Sequence, residues 1–97
     1  MQPKIIFNNT NNGRQTVAAV PQGVCSQRID IILEDGVIQD VAFTGGCMGN
    51  AQGLSSLLRG MKASVAIERL SGIDCNYKGT SCPDQLAQVL KIVTEKE

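Results

Sequence analysis

The 97 residues carry nine basic and nine acidic side chains, three aromatics and no histidine, in a chain that is 42% apolar. This composition fits one small globular domain with a core of Ile, Leu, Val and Ala. It excludes a nucleic-acid surface, which needs a basic patch with stacking aromatics, a transmembrane helix, which needs about 20 consecutive apolar residues, and any Ser-His or Cys-His catalytic arrangement.

The segment Met1–Asn9 has no apolar signal core, so the expected location is cytoplasmic. Disulfides are rare there, and the four cysteines, Cys25, Cys47, Cys75 and Cys82, read as reduced ligands or redox thiols.

Residues 1–22 read as an N-terminal arm or edge strands. Two short apolar pieces, Ile5–Phe7 and Val17–Val20, flank the polar cluster Asn8–Gly13. Residues 23–97 read as the four-cysteine domain. Pro21-Gln22-Gly23 breaks the chain before Cys25. Ser26–Leu33 alternates, with Ile29, Ile31 and Leu33 on one face, as in a half-buried strand. Asp35-Gly36 is a hairpin signal, and Val37–Phe43 alternates again. Gly45-Gly46-Cys47-Met48-Gly49 is a glycine-rich turn without the Gly-Lys-Ser/Thr element of a phosphate loop.

The helical period then takes over. Asn50 is the expected cap of a helix reaching Arg59, with Leu54, Leu57 and Leu58 inward. Ser64 is the expected cap of a second helix, which Gly72 stops. Ile73–Gly79 is a loop carrying Cys75. Ser81 caps a third helix, with Pro83 in its first turn, Asp84 near its positive end and Leu86, Ala87, Leu90 and Val93 inward through about Thr94. Strands followed by helices predict an α+β domain, an antiparallel hairpin or sheet with the helices packed on one face.

These elements give the thiols a common address. Cys25 precedes the first strand of the Asp35-Gly36 hairpin and Cys47 follows the second, so both emerge at one end of the ladder. Cys82 opens the last helix, and Cys75 lies seven positions earlier. Helix N-termini present unpaired N–H groups and a positive dipole end to an anion. Gaps of 21, 27 and 6 residues rule out Cys-x-x-Cys knuckles. Four thiolates meeting in space make a closed site suited to zinc or to an iron–sulfur cluster. Asp74 and Asp84 are the acidic candidates beside them, and Arg28 and Lys78 are nearby cations that would neutralise a thiolate.

The motifs Gly23-Val24-Cys25-Ser26, Gly45-Gly46-Cys47-Met48-Gly49-Asn50, Leu70–Cys75 and Thr80-Ser81-Cys82-Pro83-Asp84 occur in that order. Together they closely resemble the small four-cysteine TSCPD-domain family across residues 23 to about 90. Related domains sit at the C-terminal end of vitamin B12-dependent ribonucleotide reductases, and small members carry a ribonucleoside-diphosphate reductase label by that kinship. A weaker resemblance is to the U-type iron–sulfur cluster scaffold proteins, which have three cysteines placed like Cys25, Cys47 and Cys82. Cys75 is an additional thiol here, and Ser81 stands where those scaffolds often have histidine. The resemblance implies a scaffold-like fold and a protein partner, either a ribonucleotide reductase or an acceptor of metal or cluster.

Ninety-seven residues cannot house the radical generator, allosteric site and barrel of a reductase, so no catalytic residue is assigned. Three readings stay open: a metal-binding accessory or scaffold module holding zinc or an iron–sulfur cluster on Cys25, Cys47, Cys75 and Cys82, a thiol-redox partner of a ribonucleotide reductase, and a structural zinc module for protein contacts. A homo-oligomer is compatible with each.

Overall fold

The computed structural model describes residues 2–24, 26–45, 48–73 and 81–94. Four strands come first: β1 (Lys4–Asn11), β2 (Arg14–Val20), β3 (Arg28–Glu34) and β4 (Val37–Thr44). Three helices follow: α1 (Met48–Leu58), α2 (Ala63–Leu70) and α3 (Cys82–Thr94). The α+β expectation is met. The strands form one antiparallel sheet in the order β1-β2-β3-β4. Among the described residues no helix is long and apolar enough to cross a membrane.

Two tight turns set the register. Asn12-Gly13 and Asp35-Gly36 both have positive φ at each central residue, 52° and 81° for the first pair and 51° and 80° for the second. This is the mirror-image turn whose twist matches right-handed strands, and it explains the glycines. The turns touch at one end of the sheet, where the Asp35 N–H donates to the Gly13 carbonyl at 2.9 Å. Residues 4–20 are thus a hairpin of the sheet, with β1 at the edge and β2 interior.

The inner face is carried by Val17, Ala19, Ile29, Ile31, Leu33, Ile38 and Val41, packed against Leu58, Ala63, Ala66, Leu86, Val89 and Leu90. The cross-strand neighbours Val17, Ile31 and Val41 show that period-two patterning, counted through the bulge in β4, brings one row of side chains to the helices. Helix α3 spans the sheet from end to end. Its C-terminal half reaches the turn end, where the Gln15 side-chain amide donates both to the Val93 carbonyl at 3.0 Å and to Asn8 at 2.8 Å.

Three local expectations are corrected. Leu57 is 75% exposed and Leu58 2% exposed, so the apolar stripe of α1 runs through Leu54 and Leu58. Helix α1 begins at Met48, which places Asn50 inside its first turn. Helix α2 begins at Ala63 after Lys62, with no side-chain cap. The reason lies in the backbone. Residues 60–62 run beside the start of β4, where Ile38 N–H donates to the Met61 carbonyl and Ala63 N–H to the Gly36 carbonyl, each at 2.8 Å. The sheet edge itself accepts from the first amide of the helix, one of the four N–H groups that have no partner within a helix.

Candidate thiol site at the start of α3

The end of the sheet opposite the two turns brings together the start of β3, the end of β4 and the first residue of α3. The Gln27 N–H donates to the Thr44 carbonyl at 2.7 Å, and Arg28 is paired with Thr44. The chain therefore enters β3 and leaves β4 side by side, as the hairpin argument required. Cys25, Cys47 and Cys75 lie outside the described residues, as do Asp74 and Lys78. Cys82 is described, and it is a half-buried free thiol at the first position of α3.

Cys82 is tied to the sheet. Its Sγ and the Oγ of Ser26 share a hydrogen bond of 3.0 Å. Ser26 is itself buried. The residue that follows position 25 thus touches Cys82 across 56 positions of sequence. A second link lies beside it, where the Gln22 N–H donates to Oε1 of the fully buried Gln85 at 2.8 Å. Polar groups this buried persist only with partners, and among the described residues no buried side-chain nitrogen or oxygen lacks one.

The residues flanking Cys82 organise the other approach. The Ser81 hydroxyl accepts from the Asp84 N–H at 3.1 Å, so it is the helix cap that the sequence predicts. The same hydroxyl donates to the Ile73 carbonyl at 2.6 Å. Asp84 is 7% exposed. Its Oδ1 accepts from the Gly72 N–H at 2.7 Å and its Oδ2 from the Gln88 side chain at 2.9 Å. Ser81 and Asp84 therefore clasp residues 72 and 73, where α2 has ended and the chain departs toward Cys75.

This arrangement separates two kinds of residue that looked alike in sequence. Asp84 stood as an acidic candidate ligand, yet its Oδ1 holds the Gly72 N–H and its Oδ2 the Gln88 side chain, so it is a positioning residue. Arg28 is likewise engaged, with its guanidinium on Asp30 at 3.0 Å. The positioning roles of Ser26, Gln85 and Gln22 were missed, because each depends on a contact across more than fifty residues that no local pattern records. Among the described residues no group of three His, Cys, Asp or Glu side chains gathers as a metal would require.

A family model described as the TSCPD domain matches residues 2–94. No curated protein and no solved structure matches the chain. The family match takes in β1 and β2 as well as the residues that carry the cysteine motifs, and by it the chain belongs to the TSCPD domain family.

Proposed function

We propose that this protein is a thiolate metal-binding accessory module linked to ribonucleotide reduction. Cys25, Cys47, Cys75 and Cys82 together hold one soft metal centre, zinc in the first instance and an iron–sulfur cluster in the second. The observation that carries the reading is the convergence on Cys82. Ser26 reaches it directly, and Ser81 and Asp84 fasten Ile73 and Gly72 beside it. The described neighbours of three cysteine positions thus meet at one helix start, and the fourth position follows the β4 end paired with β3. The donor set fits the group. Asp84 is already engaged with Gly72 and Gln88, and an all-sulfur set of the four cysteines suits zinc or an iron–sulfur cluster.

Four thiolates fill a tetrahedral zinc ion and leave no open position for a reacting water. This favours stability, storage or presentation to a partner protein over catalysis. Family membership supports the link to ribonucleotide reductases, and a reductase or an acceptor of metal is the partner class. Metal analysis of protein purified anaerobically tests the reading. One zinc per chain supports an accessory or structural zinc module, and iron with acid-labile sulfide supports a cluster scaffold. Metal-free protein with reversibly oxidising thiols would replace both with a redox partner.

A further inference from the structure

The free edge of β4 is the feature that the thiol site does not use. In the hairpin closed by Asp35-Gly36, Glu34 and Val37 form the bonded pair next to the turn, so Ile38 directs its backbone away from β3. Ile38 indeed bonds outward, donating to Met61 and accepting from the Gly60 N–H, both at 2.8 Å. Beyond the extra residue Gln39 the same phase falls on Val41 and Phe43. The Val41 N–H meets only the carboxylate of its own neighbour Asp40, at 3.1 Å. Among the described residues, neither Val41 nor Phe43 has a backbone partner on that side.

The edge does not open to flat surface. Helix α1 runs alongside it, and the two enclose a groove of about 530 Å³, in the size range of ligand clefts, roughly 300–1,000 Å³. One wall is Val41–Phe43. The other is Gln52, Ser55 and Ser56 on one side of α1, with Arg59 just past its end. These are hydrogen-bonding side chains, and two of them are small. Asp40 and Arg59 close one end through an exposed contact of 3.5 Å.

We propose that this groove takes an extended segment of a partner polypeptide as a fifth strand, paired antiparallel with Val41–Phe43. The occupant is argued from continuity. Residues 60–62 already run as a short antiparallel strand on the first part of the same edge, with Lys62 opposite Val37. The pairing stops there because the chain turns up from α1, and among the described residues the Phe43 N–H and the Val41 and Phe43 carbonyls keep no backbone partner on that edge, while the Val41 N–H meets only the Asp40 carboxylate. Strand addition of this kind takes affinity from main-chain hydrogen bonds and specificity from alternate side chains. Here the side chains turned toward α1 meet hydroxyl and carboxamide groups, which selects small polar residues.

The probe is a phage-displayed library of random linear peptides, selected against the full chain. Enriched peptides are expected to slow amide exchange at Val41 and Phe43 and to shift those resonances first. Ser56→Trp, at an exposed position of α1, is expected to keep the melting temperature and weaken binding by about tenfold or more. Absence of any enriched peptide overturns the proposal. So does binding that leaves Val41 and Phe43 unprotected or survives Ser56→Trp. Concentration-dependent protection of the same amides in the chain alone would assign the edge to a second copy and overturn it too.

Discussion

Replacing Asp84 by Ala tests whether the residues around Cys82 are a clasp. The substitution removes an acceptor that is 7% exposed and, among the described residues, holds the Gly72 N–H at 2.7 Å and the Gln88 amide at 2.9 Å. A hydrogen bond to a charged group contributes about 1.5–3 kcal/mol, and a carboxylate in the first turn of a helix adds about 0.3–1 kcal/mol. The two bonds are not additive, because both end on one carboxylate. The expected loss is about 2–4 kcal/mol, a large part of the roughly 5–15 kcal/mol that holds a domain together. In urea, with a slope of about 1–3 kcal/mol/M, the midpoint falls by about 1–2 M. Asp84→Asn keeps an oxygen for Gly72 and turns an amide toward Gln88, so it should lose about half as much. A midpoint for Asp84→Ala within about 0.3 M of wild type would show that the clasp does not hold the chain and would remove Asp84 as a positioning residue.

Leu90→Ala, at a fully buried position of α3, should destabilise by about 2–5 kcal/mol, whereas Leu57→Ala should stay within about 0.5 kcal/mol. Equal losses in chemical denaturation would refute the assigned face of α1. Gly36→Ala places a side chain at φ 80° and should cost about 1–2 kcal/mol, read as a lower melting temperature. Ser26→Ala removes the contact to Cys82 and should raise the rate of Cys82 alkylation severalfold, with cysteine-specific mass mapping as the readout. An unchanged rate would mean that Ser26 does not restrain the thiol. Each of the four Cys→Ser changes should lower metal content and melting temperature together, since metal binding is coupled to folding. Full metal retention by Cys75→Ser would leave a three-cysteine site.

The parts of the fold legible in the sequence are those that local chemistry determines. Ile29, Ile31 and Leu33 alternate cleanly because one sheet face is buried, and Asp35-Gly36 needs the positive φ that these residues tolerate. Ser81, Pro83 and Asp84 announce α3 for the same reason. The rest depends on distant partners. Asn8, Asn9 and Asn11 are poor strand formers, yet β1 forms because β2 pairs with it along its length, and Gln15 reaches Asn8 across that pairing. The consecutive Leu57 and Leu58 fit two helical phases equally, and packing into the shared core selects Leu58. At the site, the cysteines announce themselves by type and turn context. What Asp84 does is invisible, because a carboxylate beside a cysteine looks the same whether it binds a metal or fastens Gly72.

In the proposed site Cys25, Cys47, Cys75 and Cys82 share one metal centre. X-ray absorption at the edge of the metal found in anaerobically purified protein counts the ligands directly. Four sulfur neighbours at about 2.3 Å are expected, with zinc as the first expectation. A shell containing nitrogen or oxygen in place of sulfur, or protein that binds no metal when offered zinc or iron, would contradict it.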